Sequence, residues 1–336
     1  MKPLRSDFQL PSGFFPEELN RLINTIKTDE EFDSLKLRER FLEKGHEIRR
    51  LPSPKTRESS FLAVDSSSSV KAYRYQTLWG LNVIGLYASH DGRLHHDPLI
   101  GQKGILYGGL QVDSGFKLGV FQSAWNLDLQ ISAIRCHEEL KFMRKCIEDM
   151  STTGIKPDFL LVDGSLQTIF RYLNSEGGDS KTALETQTIL NELLSERKII
   201  GLVEDSHATD ISTCFNPKMT NLGLSNLILE PNEYFIVQVG DVFVCYLKLP
   251  SKRVDFLPDR KSPPITVRWE FGYPEFVSDL ANLVGIWLGE SDIVHSQIYP
   301  IRVADYLTRK INVGGLLEDI GVKCDFEPSF RDSRQR

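Results

Sequence analysis

Two aspartates stand at the ends of short apolar segments that have the composition of buried strands. Asp163 follows Phe159–Val162 and precedes Gly164, and Asp65 follows Phe61–Val64. Open α/β sheets bind ligands outside the carboxyl ends of their strands, so both aspartates are candidates for chemistry. A lone aspartate in this position more often caps the next helix, and it is the second copy of the arrangement that favours a functional interpretation.

Such a pair of aspartates would be suited to bind a divalent cation. If the two strands are neighbours in one sheet, the carboxylates of Asp65 and Asp163 approach each other. Like charges at short range are costly unless a cation or a shared proton neutralises them. Carboxylate oxygens suit magnesium or manganese. We therefore expect a metal site at this edge, provided that the strands adjoin.

A long helix is predicted between the two strands, from about Leu127 to Met150, by apolar residues at helical spacing. Glu138 and Glu139 lie in its middle. Glu139 shares a face with Met143 and needs a partner there, whereas Glu138 is solvated more easily. Each glutamate taken alone could equally be a satisfied surface acid.

The order of the predicted elements indicates a fold class. The strand of Asp65, the stretch Val70–Tyr75, a second apolar run at Trp79–Ala88 and a third at Ile105–Val112 predict an antiparallel meander. The long helix, the Asp163 strand, helices at about 167–174 and 181–196, and a strand at 198–203 follow. We expect an α/β fold with a ribonuclease H-like mixed sheet flanked by helices, in which acids of the first strand, first helix and fourth strand converge on two metals.

The C-terminal half adds a hairpin, one strand and two helices. The two strands of the hairpin are joined by Gly240-Asp241. The predicted ranges are 234–239, 242–249 and 265–271 for the strands, and 275–288 and 302–317 for the helices.

Composition divides the chain into three parts. Residues 1–55 are charged, have apolar residues at helical spacing, and end in a proline-rich linker, which predicts an N-terminal helical arm. This arm could pack on the sheet, dimerise or bind a partner. Residues 56–325 would form the domain with the ribonuclease H-like core, and residues 326–336 a disordered tail.

Net charge limits how the protein could bind DNA, and the cysteines indicate its cellular compartment. The net charge of −6 excludes a uniformly basic surface, so DNA binding would need a local patch. Five cysteines without Cys-x-x-Cys spacing favour reduced thiols in a cytoplasmic protein over disulfides or a zinc site. We expect no signal peptide, no membrane contact and, without a Walker-type loop, no nucleotide hydrolysis.

The pattern resembles the NurA nucleases, which work beside the HerA hexameric DNA translocase in DNA end resection. The resemblance covers most of the chain and rests on four short pieces, of which the one containing Asp-Gly-Ser-Leu is fairly specific. They are Val64-Asp65-Ser66, the helix with Arg135 ahead of Glu138-Glu139, Leu161 to Leu166, and Ile199 to Val203.

This resemblance implies a catalytic metal site made of Asp65, Asp163 and one helix glutamate. The glutamate of the family motif corresponds to Glu138 or Glu139. The position of Glu139 on the apolar face of the predicted helix favours Glu139. Manganese, or else magnesium, would be the cofactor of a two-metal-ion deoxyribonuclease. Its implied activity is 5′–3′ end-resecting exonuclease and single-strand endonuclease action in double-strand break processing. Its implied partners are DNA, a HerA-like hexameric ATPase and a second copy of the chain.

Two positions depart from the family pattern. Glu204 stands where a lysine is common, and Asp305 stands where the motif containing Tyr299-Pro300 would close in histidine. Both changes leave the acids in place, so metal binding is a safer expectation than full catalytic competence. The alternative function is a catalytically weak NurA-like subunit that binds the translocase or DNA structurally. A non-nucleolytic enzyme on the same fold has little support among the residues.

Basic and aromatic side chains near the C-terminal half are candidates for DNA contact, although each such residue is more often simply solvated. They are Lys252, Arg253, Arg260 and Lys261 in one loop, Arg302 and Arg309 in the last predicted helix, and Tyr299 as a stacking surface.

Overall fold

The computed structural model describes residues 33–54, 57–96, 103–121, 126–166, 180–196, 198–203, 207–216, 219–252, 262–290, 296–324 and 326. Its helices are α1 Ser34–Glu43, α2 Leu127–Thr152, α3 Ser180–Glu196, α4 Asn221–Ile228, α5 Phe276–Gly289, α6 Tyr299–Lys310 and α7 Val313–Lys323. Its strands are β1 Arg49–Arg50, β2 Ser59–Ala72, β3 Thr77–His90, β4 Leu94–His96, β5 Lys103–Ile105, β6 Gly108–Val120, β7 Phe159–Asp163, β8 Ile199–Val203, β9 Glu233–Val239, β10 Val242–Leu249 and β11 Ile265–Phe271. The predicted arm before residue 33, the predicted helix at 167–174 and the tail after residue 326 lie outside the described residues.

A mixed sheet contains nine of these strands, in the order β1-β9-β10-β11-β8-β7-β2-β3-β6. The pairs β2·β7 and β7·β8 are parallel, and the other pairs are antiparallel. Strands β4 and β5 form a separate antiparallel pair. The prediction of an α/β fold with a mixed sheet flanked by helices is confirmed.

The meander of β2, β3 and β6 is longer than its prediction. The runs around Asp65 and Val70 were expected to be separate strands, but they form one strand of 14 residues. Residues 66–69, all serines, continue the antiparallel register by pairing with residues 83–80 of β3. Because β3 satisfies the backbone groups of these serines, the polar run does not interrupt the strand.

Helices cover both faces of the sheet, and the two-residue alternation of the strands assigns side chains to each core. One core joins α1, α2, α3 and α4 to the face that carries Leu62, Val64 and Val162. The other joins α5 and α6 to the face that carries Ala63 and Leu161. No helix among the described residues is both long and apolar enough to cross a bilayer.

The C-terminal helix predicted at 302–317 is wrong, since the chain forms two helices there. Helix α6 ends where Ile311 takes an extended conformation, with ψ at 114°. Asn312 then begins α7 by accepting a hydrogen bond from the backbone N–H of Gly315 at 2.9 Å. Asparagine at an N-cap is strongly preferred, and this cap restarts the helix in a new direction. The run predicted at Ile105–Val112 is divided, since β5 ends at Ile105 and β6 begins at Gly108 and continues to Val120. The other predicted helices and strands among the described residues are confirmed, with ends shifted by a few residues.

Candidate metal centre

The register of β2 and β7 brings Asp65 and Asp163 together. These strands are parallel, and Val64 lies opposite Val162. One residue further on, Asp163 ends β7, whereas Asp65 lies in the middle of β2, which continues to Ala72, so the expectation that Asp65 ends its strand is corrected. Alternation directs both carboxylates to the face covered by α5 and α6. The condition set by the sequence, that the two strands adjoin, is therefore confirmed.

A third carboxylate reaches the same place from helix α6. Asp65, Asp163 and Asp305 each offer one oxygen, and these oxygens all lie within 4.8 Å of one another. Asp65 is buried, and the other two aspartates are half-buried. The sequence interpretation missed Asp305 because it considered this residue only as the loss of a family histidine. No local pattern signals this role, because Asp305 reaches the cluster through the packing of α6 against β2, β3 and β7.

Each of the three carboxylates accepts a hydrogen bond from a named side chain. Thr308 Oγ1 donates to Asp65 Oδ2 at 2.9 Å, and Gln297 Nε2 donates to Asp163 Oδ1 at 2.6 Å. Arg309 Nε donates to Asp305 Oδ1 at 2.7 Å. These contacts hold the carboxylates in position, because each one fixes an acceptor oxygen relative to the sheet or to α6.

The turn after Asp163 explains the Asp-Gly-Ser-Leu sequence. Gly164 has φ at 107°, a conformation that favours glycine over residues with a Cβ atom. Ser165 Oγ then donates to the buried carboxylate of Glu270 at 2.9 Å, and Leu166 is fully buried in the core. The motif thus anchors the chain directly behind the Asp163 carboxylate.

Glu139 of α2 lies beside this cluster. It is buried, and Ser66 Oγ donates a hydrogen bond to its Oε1. Arg135 Nη2 lies 3.6 Å from Glu139 Oε1 and 4.0 Å from Asp65 Oδ1. Burial raises the pKa of Glu139 to about 7, Arg135 opposes the rise, and Asp65 and Asp163 add to it. Glu139 is therefore close enough to interact electrostatically with both Asp65 and Asp163.

Glu138 points to a different part of the surface. Its carboxylate forms an ion pair with Lys117 of β6, and both residues line a groove of about 350 Å³ between β6 and α2. Of the two helix glutamates offered by the sequence, it is Glu139 that the structure brings towards Asp65 and Asp163. The facial argument made from the sequence pointed to the same residue.

The donor set fits a hard divalent cation. All four acids offer oxygen, which magnesium and manganese accept. Burial is the main cause that raises the pKa of Asp65, and the nearby carboxylate of Asp305 contributes to the rise. Thr308 and Arg135 oppose it. A cation among these oxygens would favour the ionised acids and remove their mutual repulsion.

Several residues predicted to contact DNA have other roles in the structure. Lys252 is 5% exposed, and its Nζ donates to the backbone carbonyl of Trp287 at 2.7 Å. Arg302 Nη2 donates to the buried carboxylate of Glu290 at 3.0 Å. Lys252 and Arg302 therefore bind partners inside the fold, and the prediction that these two residues contact DNA at the surface is corrected. Arg309 is exposed and forms an ion pair with Asp305, at the edge of the group of three carboxylates.

Tyr299 is half-buried at the start of α6. Its ring stacks on Tyr107 with the ring centroids 5.0 Å apart, and its backbone N–H donates to Glu290 Oε1 at 2.8 Å. One face of the tyrosine is thus already covered by protein. The remaining residues named from the sequence, Arg253, Arg260, Lys261 and Glu204, lie outside the described residues.

Comparisons with known proteins identify the fold. No family model matches this sequence, and no curated protein matches it either. The NurA nuclease from Sulfolobus solfataricus is 13% identical, with a TM-score of 0.52 over 91% of this chain and 94% of that chain. A NurA structure bound to dAMP and manganese is 9% identical, with a TM-score of 0.52 over 86% and 92% of the two chains. A NurA structure with manganese is also 9% identical, with a TM-score of 0.54 over 87% and 94%. At such identities the similarity establishes a shared fold.

Proposed function

From the fold that this chain shares with the NurA structures, we propose that it is a metal-dependent deoxyribonuclease. The observation that carries the proposal is the convergence of Asp65 of β2, Asp163 at the end of β7 and Asp305 of α6, whose carboxylate oxygens lie within 4.8 Å of one another. Buried Glu139 adds a fourth acid beside them. A group of acids that can hold divalent cations suits metal-dependent cleavage of a phosphodiester.

We propose Asp65, Asp163 and Asp305 as the residues that hold the cation, with Glu139 beside them. Manganese or magnesium suits this all-oxygen set, and the manganese in related NurA structures supports the choice. A bound divalent cation supplies a water of lowered pKa and stabilises charge on the phosphate and on the leaving oxygen. Two cations are proposed by analogy with the ribonuclease H-like arrangement of acids.

The residues around the acids orient them for this task. Thr308 and Gln297 each fix one strand carboxylate from the side of α6. Arg135 fixes the other side, since its Nε donates to Ser66 Oγ at 3.1 Å and its Nη2 donates to the carbonyl of Ser66 at 2.8 Å. The guanidinium thereby links the helix that carries Glu139 to the strand that carries Asp65. Exposed Arg309 is placed to attract a DNA phosphate at the rim.

The substrate and partners are proposed at a finer level. DNA is the proposed substrate, and the dAMP in a related NurA structure supports a nucleotide as the group held near the metal. By resemblance to NurA we also propose 5′–3′ resection and single-strand cleavage, in double-strand break processing with a HerA-type hexameric ATPase. By the same resemblance we propose that the chain forms a homodimer.

A cleavage assay on the purified full chain tests the proposal. Linear duplex and single-stranded DNA, labelled at either the 5′ or the 3′ end, are incubated with manganese, magnesium or chelator, with and without a HerA-type ATPase. The variants are Asp163→Asn and the control Asp149→Asn, which removes an exposed carboxylate on α2 that pairs with Lys145.

The expected result is metal-dependent cleavage by the natural chain and by the control, and none by Asp163→Asn. Full activity of Asp163→Asn would refute the proposed site. No cleavage by the natural chain under any condition, together with binding to DNA or to the ATPase, would favour the catalytically weak subunit instead.

A further inference from the structure

Directly after Asp163 the chain passes from one face of the sheet to the other. Asp163 shares the face of Leu161, which α5 and α6 cover, whereas Leu166 lies in the opposite core with Val162. Gly164 allows this change of face, because its φ of 107° is a conformation that residues with a Cβ atom rarely adopt. Asp163 is therefore the last residue before a tight turn, and the direction of its carboxylate depends on how that turn is held.

The neighbouring strand β8 leaves space for the turn. Gly201 of β8 has no side chain, and a Cβ atom at this position would lie only 2.6 Å from the carbonyl oxygen of Gly164. The backbone N–H of Gly164 donates to the carbonyl of Leu202 at 3.1 Å. The turn thus lies directly against β8, and a larger residue at position 201 would displace it.

Glu270 of β11 binds the turn from the far side of β8. In the antiparallel register of β8 and β11, Glu270 lies opposite Gly201, so the residue between Glu270 and the turn has no side chain. The hydroxyl of Ser165 donates to both carboxylate oxygens of Glu270, at 2.9 Å and 3.1 Å. The contact therefore links the end of β7 to β11 across the strand that lies between them.

Glu270 is itself held by its own strand. It is fully buried, and it forms an ion pair with Arg268, which lies two residues earlier on the same face of β11 and is also buried. The guanidinium compensates a charge that would be costly if it were buried alone. Trp269 and Phe271 point to the opposite face, which is the face of the three clustered aspartates. Glu270 can therefore act on the metal centre only through the turn.

We propose that Glu270 is a positioning residue of the metal centre, which acts through Ser165 to fix the turn that orients the Asp163 carboxylate. This inference rests on the metal site proposed above. Gln297 holds the carboxylate of Asp163 from the side of α6, and the contact between Glu270 and Ser165 holds its backbone from behind. A ligand that is already oriented does not have to be ordered when the cation binds, so the contact should strengthen metal binding.

Calorimetric titration of the full chain with manganese tests this role without relying on cleavage. Ser165→Ala removes the hydroxyl and leaves the ion pair of Glu270 with Arg268 in place. Ser195→Ala is the matched control, because the hydroxyl of Ser195 donates to a carbonyl of its own exposed helix. We expect about tenfold weaker manganese binding by Ser165→Ala and unchanged binding by the control. Ser165→Thr keeps a hydroxyl and should restore the affinity.

A double substitution tests whether Glu270 is the partner through which Ser165 acts. Glu270→Asp keeps the negative charge beside Arg268 but withdraws the carboxylate from Ser165 by one methylene, so it should also bind manganese about tenfold more weakly. The variant that carries both Ser165→Ala and Glu270→Asp should bind no more weakly than either single variant, because both changes remove the same contact. Additive losses of affinity would overturn the role assigned to Glu270.

The titrations also separate this inference from the proposed function. If the natural chain binds manganese and Ser165→Ala binds it equally tightly, the positioning role is overturned while the metal site stands. This holds even if thermal unfolding in chelator shows that Ser165→Ala is less stable, because the contact would then support only the fold. Absence of manganese binding by the natural chain would overturn both the metal site and the positioning role.

Discussion

Two acidic sites in this protein, Glu290 and the group of three aspartates, differ in what faces their carboxylates. Glu290, at the end of α5, is 3% exposed. It accepts hydrogen bonds from the hydroxyl of Tyr107 at 2.8 Å, from the backbone N–H of Tyr299 at 2.8 Å and from Arg302 at 3.0 Å. In the metal centre, the carboxylates of Asp65, Asp163 and Asp305 instead lie within 4.8 Å of one another.

The difference separates an acid that supports the fold from acids for which we propose a role in metal binding. Burial raises the pKa of Glu290, and Arg302 and the surrounding donors oppose the rise. The three aspartates gain from their donors but repel one another, so their grouping lowers stability until a cation binds. Removing an acid should therefore have opposite consequences in the two places, and this contrast can be measured.

Asp163→Asn gives the largest expected effect on function. It removes one of the three clustered carboxylates, so nuclease activity should fall by about 1,000-fold or more, equivalent to about 4 kcal/mol of transition-state stabilisation. The metal-free variant should be at least as stable as the natural chain, since repulsion from Asp65 and Asp305 is relieved. Single-turnover cleavage and thermal unfolding in chelator measure the two results. A large loss of stability with activity retained would show that Asp163 supports the fold and is not needed for cleavage.

Glu290→Gln should lower the stability of the fold and leave metal binding unchanged, which is the opposite of the effect expected for Asp163→Asn. The amide keeps acceptor and donor capacity but leaves the guanidinium of Arg302 without its carboxylate in a buried site. We expect a loss of about 3 kcal/mol in the free energy of unfolding, measured by denaturant titration. Manganese affinity of the folded variant, measured by calorimetry, should stay unchanged. An unchanged free energy of unfolding would show that this ion pair does not support the fold.

Thr308→Val tests whether donors orient the aspartates. The change removes the hydroxyl that donates to Asp65 Oδ2 while keeping the shape of the side chain. Outer contacts to metal ligands contribute 10–100-fold to affinity or activity, so we expect about a tenfold fall in both. Thr188→Val is the matched control, because its hydroxyl donates to a carbonyl of its own exposed helix. Equal effects of the two substitutions would argue against a positioning role for Thr308.

The pH dependence of metal-free stability gives the smallest expected effect. The pKa of Glu139 rises from its ordinary 4.5 to about 7 in the fold. Between these values the folded chain binds a proton that the unfolded chain has lost, so stability falls as pH rises through this window. We expect a loss on the order of 1 kcal/mol between about pH 5 and pH 7 in chelator.

Glu139→Gln should flatten this dependence, whereas the control Glu148→Gln, an exposed acid on the same helix, should leave it unchanged. Denaturant unfolding at several pH values makes the comparison. The same slope in Glu139→Gln as in the natural chain would exclude Glu139 as its source.

The sequence predicts the strand half of the metal centre because the signals there are local. Asp65 and Asp163 each follow an apolar run, and a single register between adjacent parallel strands is enough to bring them together. Glu139 is also accessible to sequence reasoning, since its helical face is apolar and its neighbour Glu138 lies off that face. In each case the pattern within one element determines where the side chain points.

Asp305 could not be placed in this way because its position depends on tertiary packing. Helix α6 packs across β2, β3 and β7, and the sequence does not specify that crossing. The helix ends also misled the prediction, because the apolar pattern continues past Ile311 although Asn312 starts a new helix. Burial of Lys252 beneath Trp287 was missed for the same reason, since a basic loop residue carries no local sign of its partner.

Anomalous diffraction at the manganese absorption edge, from crystals of the natural chain soaked in manganese chloride, tests the central claim most directly. The account predicts a peak bounded by the carboxylates of Asp65, Asp163 and Asp305, and loss of that peak in crystals of Asp163→Asn. Manganese bound elsewhere, with the space between these three carboxylates empty, would contradict it.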